Sequence, residues 1–503
     1  MRKVLAFVDF SSVFVLLLFV GFVSYLNVTM LNAGYITHYF NFLSLGGMFV
    51  FLAFLIFVFH KISHVINSKN YGWLVFVISI ITKLIFIMLV NSKPESDFAM
   101  IFKTAGMFAD GTIKTLNAGP GSYYDVWAYQ SVYTLYQAFV LYVYNSIDAL
   151  KILNVFFMAG SSVMVYKICN EIYSEKISFI VACLYSLYPE MAFYSPVLSN
   201  QHISTFFVLI GVYLLLKNNY RSLIFSGIFL ALGDLMRPEI IIIFIAAGFC
   251  LIVSSMKSRE RGVILSQLAK FSTVVVIYVL IHVFTGAAIK ASGVNQYGID
   301  NRNPEWKFMV GLDKEHLGAW NTSHANILGM TDSAERKKEV IDYVKKTYKT
   351  PGDVLSFVHD KQAFMWASPS PVYFTFNDGE LTRTVRLFGK EYYMNDLVNV
   401  FVSLDKVYYT FIFCLFFVSV LDVFVSLFRG VVPSKEQYFI MMVCLVNFLI
   451  YLFIEVQPRY KYFVMPFIFI AIGHFLTRVS TINKSNLKAR FLLVFGKRSD
   501  AAL

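Results

Sequence analysis

Charge is what this chain has least of. Asp, Glu, Lys and Arg make up 15% of 503 residues and 57% are hydrophobic, with a mean hydropathy of +0.63. A soluble domain cannot cover itself with so few charges, so the composition excludes one and specifies a polytopic membrane protein. Cysteine is scarce too. Cys169, Cys183, Cys250, Cys414 and Cys444 lie in or beside apolar runs without pairing or metal-ligand spacing. That excludes a disulfide framework and leaves them as small hydrophobes. No internal repeat or low-complexity tract is visible, which counts against a transporter built from inverted repeats.

The charge that is present is skewed: the net value is +12, with Lys and Arg in short clusters between apolar runs. This is the pattern of positive-inside topology and headgroup contact, and it gives nucleic-acid binding no support. A helix needs about 20 apolar residues to cross a hydrocarbon core. Twelve runs reach or approach that length: 7–27, 39–60, 72–91, 150–168, 177–191, 201–217, 221–237, 239–256, 265–288, 407–428, 437–455 and 461–479. The expected fold is therefore an all-α polytopic membrane protein of about twelve transmembrane helices.

Arg2 and Lys3 place the N-terminus inside, and the long first run has no small-residue cleavage pattern, so it reads as an uncleaved helix. Lys61 and Lys69 then fall inside and the loop from Asn91 outside. The stretch from Gln130 to Ile147 is apolar but studded with Tyr133, Tyr136, Tyr142 and Tyr144. It reads as an interfacial helix on the outer surface, which puts both termini in the cytoplasm. The organisation expected is two accessory spans and a link at 1–71, and a transmembrane core at 72–289 with an outer loop at 91–149. An extracytoplasmic loop at 290–405, C-terminal spans at 406–480 and a basic cytoplasmic tail at 481–503 follow. Inside the long loop, 334–346 has helical spacing that ends before Pro351 and Gly352.

Sidedness gathers four polar features on the outer face. They are Pro94-Glu-Ser-Asp97-Phe-Ala99, the segment from Glu190 to Asn200-Gln201-His202, Asp234-Leu-Met-Arg237-Pro-Glu239, and Glu455-Val-Gln-Pro-Arg459-Tyr460-Lys461. An acidic group at the mouth of a span is costly to desolvate and more often functional than decorative. Asp97 reads as a solvated loop carboxylate or helix N-cap, or as a base for an acceptor hydroxyl. Arg237 and Arg459 read as headgroup anchors, as partners of Glu239 and Glu455, or as bidentate ligands of a lipid phosphate. In combination, one carboxylate and one or two cations suffice for inverting sugar transfer: the base takes the acceptor proton and the lipid phosphate leaves as an anion. Tyr124, Asp125, Glu190 and His202 are candidates for holding acceptor or sugar, as is Trp127, which serves equally as an interfacial anchor. His316 and His324, in the long loop, lack metal-ligand company.

The Asp97 loop, Tyr123-Tyr-Asp-Val-Trp-Ala-Tyr-Gln130 and Gln457-Pro-Arg-Tyr-Lys-Tyr462 resemble the GT-C superfamily of integral-membrane glycosyltransferases. The branch is that of the bacterial enzymes related to protein O-mannosyltransferases and aminoarabinose transferases. Lys307-Phe-Met-Val-Gly-Leu-Asp-Lys-Glu-His-Leu-Gly-Ala-Trp-Asn321 is similar to a stretch in Gram-positive members of it. The resemblance implies a polyprenyl-phosphate-sugar donor, an extracytoplasmic glycan, lipid or protein acceptor, and a plasma-membrane location in a bacterium. It also implies Asp97 as the catalytic residue and Arg459 and Tyr460 at the donor phosphate, with Lys461 and Arg237 as further contacts. Two departures stand out: three spans, not one, precede the Asp97 loop, and Glu190 is the only acidic residue in the second outer loop. Metal-dependent oligosaccharyltransferases place acidic residues there, so no cofactor is expected to be obligatory, and a divalent cation stays open. An O-antigen-type polymerase or ligase, and a lipid-linked glycan flippase or transporter, are the competing classes.

Overall fold

A computed structural model describes residues 2–32 and 42–481, except 118, 120, 259, 331, 369–371, 378 and 388. The expected basic tail, from residue 482 on, lies outside the described residues, as does most of the 28–38 link. In hydrocarbon a backbone can satisfy its own polar groups only by closing them within helices or barrels. The chain takes the first route.

Helices α1 (Arg2–Asn32), α2 (Phe42–Val65) and α3 (Tyr71–Leu89) come first. The polar stretch that follows holds α4 (Asp97–Ala109), α5 (Tyr123–Val126) and α6 (Ser131–Val143). Next come α7 (Ile147–Ile172), α8 (Glu175–Ser186), α9 (Pro189–Tyr194), α10 (Gln201–Lys217), α11 (Tyr220–Met236), α12 (Ile241–Lys257) and α13 (Arg261–Ala291). A long connection carries α14 (Pro304–Gly311), α15 (Asn326–Gly329), α16 (Ser333–Thr347) and α17 (Pro351–Ala367). It ends in an antiparallel hairpin of β1 (Thr384–Leu387) and β2 (Lys390–Tyr393). Helices α18 (Met394–Phe428), α19 (Lys435–Ile450) and α20 (Met465–Thr481) close the described chain.

Each of the twelve apolar runs falls on a helix. Six helices among the described residues, α1, α2, α3, α7, α13 and α18, are long and apolar enough to cross a membrane; α10, α12 and α20 are apolar but shorter. Helix α8 is shortest, 12 residues or about 18 Å, against about 30 Å of hydrocarbon. Its carboxyl end, Tyr188-Pro189-Glu190, is therefore recessed within the bundle.

Polar bonds sort the helix ends into two sets. At one, Lys176 meets His64 at 2.9 Å, Lys217 meets Glu171 at 2.5 Å and Lys257 meets Asp9 at 2.6 Å. At the other, Lys151 donates to the Ser92 carbonyl at 2.8 Å and Arg302 pairs with Asp125 at 2.7 Å. Lys176, Lys217 and Lys257 belong to loops expected inside, and Ser92, Asp125 and Arg302 to loops expected outside. Helix α6, 13 residues long or about 20 Å, packs on α4 at the second end. Its Tyr133 hydroxyl donates to the Leu198 carbonyl at 3.0 Å while Phe139, Tyr142 and Tyr144 stay exposed.

Two expectations change. The last long-loop residues are helical, because α18 begins at Met394 and not near 407. Asp405, at the expected end of the loop, and Lys406 are buried inside that helix. Lys461 lies beside Asp405 and offsets its charge while nearby Glu190 adds a like one, and Lys406 donates to Asn27 Oδ1 at 2.8 Å and to the Ala367 carbonyl. The N-terminal pair is also less accessory than expected. Asn27 of α1 is fully buried and donates to the Trp366 carbonyl at 3.2 Å, so α1 is part of the core.

Candidate active site

The start of α10 sets the geometry of the recessed end. Three successive side chains there each hold a different segment. Asn200 Nδ2 donates to the Met236 carbonyl, at the end of α11, at 2.9 Å. Gln201 Nε2 donates to the Arg459 carbonyl at 3.0 Å. His202 Nε2 lies 3.2 Å from the Val197 carbonyl, which can only accept, so Nδ1 takes the Tyr462 hydroxyl proton at 2.8 Å. The connection between α19 and α20, with its 3-10 turn at Pro458–Phe463, is thus fixed twice from below.

Arg459 projects from this turn. Its guanidinium lies 4.9 Å from the centre of the Phe98 ring and 4.6 Å from that of Phe374, and Nε donates to Gln457 Oε1 at 2.7 Å. Stacking between two rings suits a planar, weakly hydrated guanidinium better than a strongly hydrated ammonium. The residue is 6% exposed, and among the described residues no carboxylate pairs with it. Phe98 follows Asp97, which is exposed in the first turn of α4, with Ser96 rather than Asp97 as the N-cap residue. Ser96 has φ +54°, a region that costs a non-glycine residue energy and is often kept at functional sites. Among the described residues no hydrogen bond or ion pair ties down the Asp97 side chain. Asp97 and Arg459 both face the Tyr123 phenol: burial pushes it well above its ordinary value, Asp97 adds to the rise and Arg459 opposes it. The structure thus brings together the two residues on which the sequence placed most weight.

Beside them stands a second cation. Lys307 of α14 pairs with Glu455 Oε2 at 2.5 Å and lies 5.5 Å from the centre of the Trp127 ring. Burial pulls the ammonium down, but Glu455 outweighs it and holds Lys307 above its ordinary range. Burial likewise works against ionised Glu455, yet Lys307, the Tyr460 hydroxyl (2.9 Å) and Gln457 Nε2 (3.1 Å) hold it below the usual carboxylate value. The Tyr129 phenol, raised by burial, faces Lys307, Arg237, Glu455 and Asp97 together.

The Lys307–Asn321 segment is the joint between the long loop and this cluster. A Cβ on Gly311 would sit 2.2 Å from the Ile454 backbone carbon, so only glycine lets the two chains pass. Lys361 of α17, fully buried, donates to the carbonyls of Gly311 (2.5 Å), Leu452 (3.1 Å) and Ile454 (2.8 Å). Asp313 gathers His316 Nδ1 at 2.8 Å, Asn321 Nδ2 at 2.9 Å and the Tyr343 hydroxyl at 3.1 Å. His324 Nε2 lies 3.5 Å from the same carboxylate. Among the described residues no group of three or more His, Cys, Asp or Glu is placed to hold a metal ion.

The other candidate residues mostly hold structure. Arg237 pairs with Glu239 at 2.8 Å and covers the Tyr460 ring at 5.1 Å, the partner alternative noted above. Glu455 pairs with Lys307, not Arg459. Tyr460 spends its hydroxyl on Glu455. Lys461 turns into the core, 3.7 Å from Glu190 and 4.4 Å from the centre of the Tyr409 ring, and Tyr188 also donates to Glu190. The Tyr124 hydroxyl meets that of Thr134 at 2.9 Å, and Asp125 is held by Arg302 at 2.7 Å and the Gly121 amide at 2.7 Å. Trp127 remains half-buried beside Lys307. Sequence reading missed Lys307, Phe374, Gln457 and Tyr129. For Lys307 there was a signal: Glu455 beside a membrane interface needs a cation.

Residues 130–305 match a family described as "Predicted membrane protein (DUF2079)". No curated protein matches the chain. Among solved structures, the archaeal oligosaccharyltransferase AglB from Archaeoglobus fulgidus, in complex with an inhibitory peptide and a dolichol-phosphate, aligns at 11% identity with a TM-score of 0.45. The alignment covers 86% of this chain and 53% of that one, so this chain spans about half the length of that protein. The family match and the six long apolar helices place the chain in a membrane.

Proposed function

We propose that the chain is a membrane glycosyltransferase that moves a sugar from a polyprenyl-phosphate donor to an extracytoplasmic acceptor by a single inverting displacement. One observation carries the reading: a nearly buried guanidinium that among the described residues has no carboxylate partner, stacked on the ring that follows an exposed carboxylate untethered by any described residue. A buried cation needs an anion. At the membrane interface the anion of matching geometry is a phosphate, and Arg459 has the fork for it.

In this mechanism Arg459 clamps the donor phosphate, and Lys307 adds positive potential at its edge. Asp97 accepts the acceptor's hydroxyl proton as that oxygen attacks the anomeric carbon; the C–O bond to phosphate breaks and the anion leaves toward Arg459. Phe374 brings the long loop against Arg459, so that loop forms one wall and limits water. Arg237 and Tyr460 support Arg459 and Glu455 from behind. No residue of the scheme calls for a metal. The topology that goes with it has the Asp97 end outside a bacterial plasma membrane and both termini inside.

Radiolabel transfer from synthetic polyprenyl-phosphate-hexoses tests the scheme in membranes carrying wild type or Asp97→Asn. Label should leave the lipid with wild type only, and the product should have inverted anomeric configuration. Equal turnover by both proteins, or retained configuration, would defeat the mechanism.

A further inference from the structure

At the end of the bundle away from Asp97, α10, α11, α12, α13 and α19 enclose a cavity of about 260 Å³. Its walls are apolar, with Leu216, Cys250 and Phe271 among them, and its rim carries Lys257, Lys270 and Lys435. The lysines are not equivalent. Lys257 is neutralised by Asp9 at 2.6 Å. Lys270 and Lys435 have no carboxylate partner among the described residues. Gln267, also in the wall, has a buried Oε1 that accepts no hydrogen bond. Helix α13 forms one side and presents Leu265, Leu268 and Val276 outward. The cavity therefore lies beside a helix long and apolar enough to cross a membrane.

We infer that this cavity is a binding site for an anionic glycerophospholipid of the adjoining leaflet. The phosphate would lie between Lys270 and Lys435, a headgroup hydroxyl would supply the donor that Gln267 Oε1 lacks, and an acyl chain would continue from the apolar wall along α13. Each part of the cavity answers one part of such a lipid. Basic pockets between membrane helices attract anionic headgroups for the same electrostatic reason. The chain's own end is a poor occupant by charge: beyond Thr481 it carries Lys484, Lys488, Arg490, Lys497 and Arg498 against Asp500 alone, the same sign as the rim. The site is separate from the proposed chemistry and stands whether or not that chemistry is right.

The test uses the full chain in phosphatidylcholine vesicles with a trace of phosphatidylglycerol bearing a photoactivatable acyl chain, followed by peptide mapping. Label should fall on the α10–α13 and α19 walls, be displaced by unlabelled phosphatidylglycerol, and resist phosphatidylcholine and inorganic phosphate. Lys270→Gln with Lys435→Gln should raise the phosphatidylglycerol needed for half-labelling about thirtyfold, the weight of two cation–phosphate contacts at a membrane surface. Cys250→Trp, which fills the cavity, should abolish the label there. Labelling at exposed Trp73 and Ile85 of α3 should stay unchanged in both variants and so report an intact fold. Displacement by phosphatidylcholine or by inorganic phosphate, wild-type labelling of the double lysine variant, or a gain of label on truncation after Thr481 would each overturn the assignment.

Discussion

Arg459→Gln is the most informative single change. The guanidinium spends one N–H on Gln457 and rests between two rings, so its plane is fixed while its other donors have no carboxylate partner among the described residues. A hydrogen bond to a charged group contributes about 1.5–3 kcal/mol, and a guanidinium can offer two to one phosphate. Lys307 stays in place and offsets part of the loss. A net cost of about 3–4 kcal/mol follows, or roughly a hundred- to a thousandfold in kcat/KM. The leaving phosphate carries more charge in the transition state than in the bound donor, so kcat should fall as well as KM rise. Arg459→Lys keeps the charge but loses the fork and the stacking, and should recover only part of the activity. The assay is initial-rate release of labelled sugar from the polyprenyl-phosphate donor in proteoliposomes. An Arg459→Gln protein within threefold of wild type would refute the phosphate assignment, and equal activity of Arg459→Glu would refute any role for positive charge there.

Lys307→Met strands Glu455, which is only 2% exposed, and should cost about 3 kcal/mol, whereas adding Glu455→Gln should restore most of the stability. Thermal unfolding in detergent checks this. The pair also has a pH window. Glu455 sits lower in the folded chain, so its contribution is full above about pH 4.3 and fades as pH falls further; Lys307 sits higher, so its contribution is full below about pH 10.4 and fades above it. The stability difference between wild type and the double variant should therefore be flat from roughly pH 5 to 10, and a slope near neutrality would be inconsistent with the pair. Lys361→Met leaves three carbonyls without a donor and should cost at least about 3 kcal/mol of stability, read by the same unfolding assay. Tyr124→Phe removes one hydroxyl bond and should cost about 1 kcal/mol with an unchanged KM for acceptor, which separates a packing role from acceptor binding.

Much of the fold was legible because apolar runs and their lengths are local properties. All twelve runs became helices. Asp97 and Arg459 were legible because each sits at the mouth of an apolar run, where a charge is expensive. What stayed hidden depends on partners far apart in the chain. Lys307 and Glu455 are separated by 148 positions, and no periodicity links them. The 290–405 bound missed the start of α18, since Asp405 and Lys406 inside a buried helix make sense only once Asn27 and Lys461, distant in the chain, are seen around them. Tyr124, Asp125 and His202 were only candidates for ligand contact, because the same groups that bind sugars also cap turns and tie helices, and each makes such a structural bond here.

The contact between Asn27 and Lys406 also has a meaning in time. The two residues are 379 positions apart, and ribosomes add about 5–20 residues per second. Helix α1 therefore waits roughly 20–80 s after its own synthesis before its partner exists. Meanwhile Asn27 can hold the Val23 carbonyl of its own helix, a 2.8 Å bond that persists in the finished fold. The final third of the chain thus completes what the first thirty residues began, and a chain made without α1 would leave the Lys406 ammonium short of one of its two oxygen acceptors deep in the bundle.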